Sequence, residues 1–417
     1  MHTQDVHRSL KLVVHRATNV IGGNCIELAT SNGSRVLLDI GRPLDAAREA
    51  TGLLPRSLDL SKPLDGVLIS HPHQDHYGLL EETPADWPVY CGEATSKLMR
   101  LTAEITGKAL DRDFRFWRSG VQTSAGEFTI TPYLTDHSAF DAHMLLIEAD
   151  GKRILYTGDF RVHGRKSTLV ARLTSSLPRD IDVLLMEGTN LGSDKRCVME
   201  SELEADFVRL FKETAGRVFV AWSAKNIDRT VTLYRACLKT KRTLVVDLYT
   251  ADVLSVLACH GRIPQPGWAN LKVVITRAFA RLYRRRGRAD FVDRMAKFGI
   301  PAAKLAEGKW VTMIRPSLMR DFEPAGVVPD AKDAWSWSMW RGYLKNDGIR
   351  LRAWFDAGGA RADHIHTSGH ASASDLRHFA SAISAKTMVP VHGEAWDREA
   401  QGFPHITRFI DGEPLEV

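Results

Sequence analysis

Residues 70–76 read SHPHQDH and follow directly on the apolar run DGVLI at 65–69. His71, His73, Asp75 and His76 therefore crowd the end of a strand-like segment, where burial would desolvate them together. An unpartnered polar group removed from water costs about 2–7 kcal/mol, so a buried cluster of this kind needs a partner. Divalent cations take neutral imidazole and carboxylate as ligands. A solvated, His-rich loop is the alternative, and the rest of the chain decides between them.

Working outward, the same kinds of residue recur where apolar runs end. Asp39 ends RVLLD, His137 follows TPYLTD, Asp159 ends ILYTGD and Glu187 ends DVLLME. Late in the chain His370 stands in TSGHAS and His392 in VPVHGE. One polar residue at a strand end is ordinarily a turn residue. A succession of them, all of metal-ligand type, is not, and catalytic groups belong on loops that a rigid sheet holds at one edge. A dinuclear centre needs about three or four protein ligands per ion. His71, His73, Asp75, His76, His137, Asp159 and His392 supply that number.

The 417 residues are 44% hydrophobic and 25% charged, with a net charge of +6. That is the balance of a globular enzyme and excludes a disordered chain. Apolar runs such as TLVVDL are too short to span a bilayer, and MHTQDVHRSLKLVVHR has no signal-peptide pattern. A cytoplasmic protein without a membrane partner is expected. The 5 cysteines lie far apart with no CxxC pair, which argues against both a disulfide framework and a thiolate zinc site. The modest positive charge permits a polyanionic partner without requiring one.

The first part of the chain reads as short strands separated by SNG, ADG and GG turns, in the manner of packed sheets. From residue 199 helix and strand alternate: SELEADFVRLFKETAG, RVFVAWS, IDRTVTLYRACLK, TLVVDLY, a helix through SVLACHG, then KVVIT. Such alternation predicts a parallel sheet. The earlier style resumes with DHIHTSGHAS, a helix from Asp375 and the strand TMVPV. The expected organisation is one sheet-rich domain (1–198 and 361–417) interrupted by a doubly wound insert at 199–360.

HxHxDH, a later lone histidine and a strand-end GD resemble the metallo-β-lactamase superfamily, whose αββα sandwich the first and last segments would then adopt. LLMEGT with Glu187, TSGHAS with His370 and VPVHGE with His392 resemble the further motifs of its β-CASP subgroup, which carries an α/β insert and acts on nucleic acids. WSAKNIDR adds similarity to ribonuclease J-type proteins. The resemblance implies one ion on His71, His73 and His137, a second on Asp75 and His76, and Asp159 bridging them. It makes Asp39 an orienting acid, Asp75 a neighbour of the attacking water, His370 the group that protonates the leaving oxygen and Glu187 its support. It implies two divalent ions, zinc with manganese as the alternative, that activate water for RNA hydrolysis, with single-stranded RNA in the cleft between the domains. The chain stops soon after VHGE, where ribonuclease J-type proteins continue into a further domain, so a homodimer is an open assembly question. RPSLMR and WSWSMW also depart from the family wording.

Further residues carry expectations of their own. Ser368, Gly369 and Ala371 surround His370 with small side chains whose backbone N–H groups would meet a phosphate. Ser223 and Asn226 lie between strand and helix, at an anion site or an ordinary N-cap. The arginines of TRAFARLYRRRGRADF are expected to spread around a solvated helix. Trp335 and Trp337 alternate at strand spacing and are expected in the core; His364 and His366 alternate along a later strand, where one could face the site, and neither is assigned a role. His2, His7, His15, His143, His163, His260, His378 and His405 receive no role. A DNA nuclease, a lactonase- or glyoxalase-like hydrolase and an inactive scaffold are the competing readings; the second would not need the insert, and the third would not keep a complete ligand set.

Overall fold

The aliphatic and β-branched runs suit a pleated, half-buried surface, and in the computed structural model they pair into three sheets. The structure describes residues 9–47, 49–193, 195, 197–345 and 348–417; His2, His7 and the start of the amino-terminal stretch lie outside the described residues. The chain divides into two compact units. One comprises Met1–Met99, Ala109–Arg196 and Gly369–Val417, the other Arg100–Lys108 and Cys197–Ser368.

In the first unit, β1 (Lys11–Arg16), β2 (Cys25–Ala29) and β3 (Arg35–Leu38) pair antiparallel. They continue in parallel through β4 (Gly66–Leu68), β5 (Val89–Gly92) and β6 (Phe114–Trp117). A second sheet holds β7 (Thr123–Ala125), β8 (Phe128–Leu134), β9 (His143–Ala149) and β10 (Lys152–Tyr156), all antiparallel, with β11 (Val183–Met186) parallel to β10. Leu12, Val14, Ile26 and Leu28 of the first sheet meet Ile130, Leu145, Ile147 and Leu185 of the second in one buried cluster. Burying such side chains contributes about 1.5–3 kcal/mol each. The alternate residues Met144, Leu146, Leu155 and Leu184 face the other way, onto helices Ser167–Ser176 and Ala373–Ile383. The outer side of the first sheet packs Leu37, Val67 and Val89 with Met99 of the helix Glu93–Thr106. The result is an αββα sandwich.

The second unit is a wholly parallel sheet of β12 (Val218–Ala221), β13 (Thr243–Asp247), β14 (Leu271–Val274), β15 (Gly299–Ile300), β16 (Trp310–Met313), β17 (Ala334–Trp337) and β18 (Arg361–Asp363). Its strand order is β15-β14-β13-β16-β12-β17-β18. Trp335 and Trp337 are buried in its core, with Trp335 stacked on Phe355 at 4.8 Å between centroids. The chain then returns: β19 (Thr387–Pro390) pairs parallel with β11 and β20 (Pro414–Glu416) antiparallel with β1.

Three local expectations need correction. Arg361–Asp363 is an edge strand of the second unit, so His364 and His366 follow a strand in a loop instead of alternating along it. The helix expected through SVLACHG is Leu248–Val256, started earlier by Asp247, whose side chain accepts the Thr250 N–H at 2.8 Å. The arginine run does not scatter. Its helix ends at Arg285, and the four-residue spacing puts Arg277, Arg281 and Arg285 on one exposed side, opposite the buried Tyr283.

Candidate metal centre

The ligand candidates leave the sandwich where its strands end. Gly66–Leu68 delivers residues 70–76, with His71 and His76 fully buried. The short helix Gln74–Tyr77 carries Asp75 and His76, and its close approach to the loop after β3 demands glycine. A Cβ on Gly41 would lie 1.7 Å from the Asp75 carbonyl oxygen. His137 follows β8, Asp159 follows β10, Glu187 follows β11 and His392 follows β19.

The structure brings these side chains into three overlapping groups. His71, His73, His137 and Asp159 each offer a ligand atom, all within 4.8 Å of one another. Asp75, His76, Asp159 and His392 do the same, as do Asp159, Glu187 and His370. His73 Nδ1 lies 3.1 Å from His71 Nε2 and 3.2 Å from His137 Nε2. His76 Nε2 lies 3.1 Å from Asp159 Oδ2, and Asp75 Oδ2 is 3.8 Å from both His76 Nε2 and His392 Nε2. Asp159 belongs to every group.

The protonation of three histidines fits a cation-binding donor set. Burial, followed by the neighbouring histidines, holds His71, His137 and His392 well below the usual histidine range. Those rings are neutral and offer lone pairs. Burial also opposes charge on His76, but Asp159, Asp39 and Asp75 lift it well above that range. Burial raises Asp159. Among the described residues, neither ring nitrogen of His392 nor Asp159 Oδ1 has a hydrogen-bond partner, although His392 Nδ1 and Asp159 Oδ1 face each other at 3.3 Å. Two buried acceptors in that position lack the positive charge that a divalent ion would bring.

The supports lie just behind. Asp39 accepts hydrogen bonds from the Ser70 N–H at 2.7 Å, the Ser70 hydroxyl at 2.8 Å and the Tyr156 hydroxyl at 2.6 Å, and its Oδ2 sits 2.7 Å from His76 Nδ1. Asp39 and His392 both have positive φ, +59° and +49°, a region that non-glycine residues enter at a cost and that clusters at functional sites. Glu187 is buried and accepts from the Phe160 and Thr189 N–H groups at 3.0 and 3.2 Å. His370 Nδ1 lies 3.0 Å from its Oε2 and 3.8 Å from Asp159. Burial disfavours charge on His370, but Glu187 and Asp159 overcome it and raise its pKa to about 9.

The small residues around His370 divide. The Ala371 N–H donates to the Phe160 carbonyl at 2.7 Å, so it is committed to the fold and unavailable to a phosphate, which corrects that expectation. Gly369 is needed for space, since a Cβ there would meet Ser138 Oγ at 2.6 Å. Ser368 is buried at the end of the second unit. In that unit Asn226 caps the helix Ile227–Thr240 by accepting the Arg229 N–H at 3.0 Å, and Ser223 is exposed. Sequence reasoning missed Ser70, Tyr156 and Asn190. Asn190 Nδ2 donates to the His370 and Ala371 carbonyls at 2.9 and 3.0 Å; its place just after Glu187 in MEGTN was the available signal.

Comparison with known proteins agrees with this architecture. Residues 35–225 match the beta-lactamase superfamily domain, and residues 359–401, which include His370 and His392, match the Zn-dependent metallo-hydrolase RNA specificity domain. A Ribonuclease J of Helicobacter pylori is 27% identical over 252 residues, 57% of this chain. The chain is thus similar in part to ribonuclease J proteins, and its first unit has the fold of the beta-lactamase superfamily domain. A Ribonuclease J of Mycobacterium tuberculosis is 25% identical over 366 residues, 79% of this chain. The matches span 36% of the Helicobacter protein and 58% of the Mycobacterium one, less than two thirds of either. A solved structure from Enterococcus faecalis V583, of a protein of unknown function, shares the fold with a TM-score of 0.80 at 17% identity, covering 98% of this chain and all of that one. No helix among the described residues is long and apolar enough to cross a membrane.

Proposed function

We propose that this chain is a metal-dependent ribonuclease that hydrolyses phosphodiester bonds of single-stranded RNA. One observation carries the reading: two ligand groups share Asp159, and His370, held by Glu187, stands 3.8 Å from that same carboxylate. The names of the relatives and the RNA specificity match support RNA as the substrate.

In this reading His71, His73, His137 and Asp159 hold one divalent ion, and Asp75, His76, Asp159 and His392 hold the second. Zinc suits the nitrogen and carboxylate donors, with manganese as the alternative. Bound there, the ions would lower the pKa of a water nucleophile and neutralise charge on the phosphoryl oxygens. His370 gives a proton to the leaving oxygen, from Nε2, while Nδ1 stays on Glu187. Glu187 keeps the ring oriented, and Asn190 fixes the loop that carries it. The inserted unit grips the strand outside the scissile bond.

The deciding experiment combines metal analysis with cleavage of 5′-labelled RNA and DNA side by side. About two ions per chain and selective RNA cleavage are expected, with product sizes separating internal from terminal cutting. Preference for DNA, metal-loaded protein that cleaves neither, or a reproducible content of one ion would overturn the corresponding part of the proposal.

A further inference from the structure

The inserted unit carries a charged surface that nothing above employs. In the helix Arg277–Arg285, Thr276 caps the amino end and Tyr283 is fully buried, with Phe279 and Leu282 half-buried beside it. The opposite side is basic. Arg277, Arg281 and Arg285 are all exposed and recur every four residues, about 6 Å apart along the helix axis.

Neighbouring arginines are satisfied within the fold. Arg284 pairs with Asp293 at 2.7 Å, and Arg288 with Glu104 at 2.6 Å and Asp252 at 2.7 Å. Among the described residues, no acidic side chain pairs with Arg277, Arg281 or Arg285. Asp321 comes close enough to that end to accept the Ala278 N–H at 3.3 Å, yet makes no ion pair there. An ordinary solvated helix gains from opposite charges four residues apart; like charges at that spacing are a standing cost to it. A linear polyanion laid along the stripe would relieve that repulsion.

We infer that Arg277, Arg281 and Arg285 form a track for the phosphodiester backbone of the single-stranded RNA substrate, an inference that rests on the ribonuclease reading above. The step between successive arginines is comparable with the phosphate repeat of an extended single strand. Guanidinium also matches phosphate oxygens through paired N–H donors. A sequence-independent grip of this kind holds any strand and leaves the choice of bond to the metal centre.

The test uses the full chain, an Arg277→Ala/Arg281→Ala/Arg285→Ala variant and the corresponding triple Lys variant. Binding of a labelled, unstructured RNA is followed by anisotropy across a salt series. The alanine variant should lose about 2 from the magnitude of the log–log salt slope, from about 0.7 per phosphate contact on a single strand. Its KM for long RNA should rise several-fold with kcat unchanged, its rate on a dinucleotide-length substrate should be unaltered, and the lysine variant should keep the wild-type slope. A wild-type slope in the alanine variant overturns the track, as does a lysine variant equally impaired. Loss of binding to anionic phospholipid vesicles with the RNA slope intact would assign the stripe to a lipid surface and also overturn it. Wild-type protein that binds RNA through these arginines but cleaves none sinks the ribonuclease reading and leaves the track standing.

Discussion

Asp39 never enters the ligand groups, yet it fixes one of their members. With Ser70 and Tyr156 donating to it, its carboxylate faces His76 Nδ1 at 2.7 Å and so turns His76 Nε2 toward Asp159. Asp39→Asn keeps the shape and removes the charge. It should weaken metal binding about 10–100-fold, the usual effect of removing a ligand's support, as read by competition with a chromogenic chelator; unchanged affinity would show that Asp39 only shapes the turn. His392 and His370 separate by the same logic. His392 is held by its N–H to the Ala17 carbonyl at 2.7 Å, and both its ring nitrogens face carboxylates. His392→Ala should therefore lose metal and activity together. His370 is committed to Glu187, so His370→Ala should retain metal and RNA binding while kcat falls about 10²–10⁴-fold, the contribution of a positioned acid. The defect should shrink on substrates with a better leaving group. A metal-depleted His370→Ala protein, or one equally slow on both substrates, refutes that assignment.

At the scale of the element, β2 pairs with β3 across a buried ion cluster remote from the metal ligands in sequence. Glu27 receives Arg35 Nε and Nη2 at 2.9 and 2.8 Å, and His15 Nε2 lies 3.2 Å away. Burial alone would raise the Glu27 pKa, but the bonds from His15 and Arg35 hold it at about 2 against an ordinary 4.5. A depressed carboxylate contributes stability that is fully present above its ordinary pKa and is lost as pH falls toward the folded value. Glu27→Gln should thus cost about 1–2 kcal/mol at neutral pH after allowance for solvent screening. The deficit should stay level down to about pH 4.5 and shrink below it, in urea unfolding of metal-free protein. A deficit that grows on acidification would contradict the sign. Elements such as β8 to β11 were legible in the sequence because their apolar runs are bounded by turn residues. By contrast, β6 was not: FRFW lies at a sheet edge with Arg115 and Phe116 exposed, and carries no alternation to read. The helix Leu248–Val256 was misplaced because most of its residues are buried, so it lacks a polar stripe. The same limit applies to the site. Strand-end histidines and aspartates announce ligands by type, whereas Tyr156 and Asn190 act only through contacts with residues far away in sequence.

For the molecule as a whole, the ligand set joins chain on both sides of the inserted unit. His71, His73, Asp75, His76, His137 and Asp159 precede it and His392 follows it, all within the first compact unit. The loop bearing His392 is otherwise held by the Val391 N–H to Met186, at 2.9 Å, and by the Gly188 N–H to its carbonyl, at 3.1 Å. Removing bound cations leaves neutral His71, His137 and His392 facing buried carboxylates, with protons on His76 and His370 as the nearby compensation. A ligand that binds only the folded state at about 1,000 times its dissociation constant stabilises by about 4.1 kcal/mol per site. Chelation should withdraw that contribution from the sandwich and not from the parallel sheet of the second unit, which holds no member of the ligand groups. Hydrogen exchange resolves the two, because protection reports opening segment by segment. After chelation, amides of β11 and β19 should exchange faster by orders of magnitude, while those of β12 and β13 should change little. Re-addition of zinc should restore the first set. Equal loss of protection in both sheets would mean that the ions stabilise the chain as one cooperative body, and no loss in β11 and β19 would mean that these side chains hold no ion that matters to the fold.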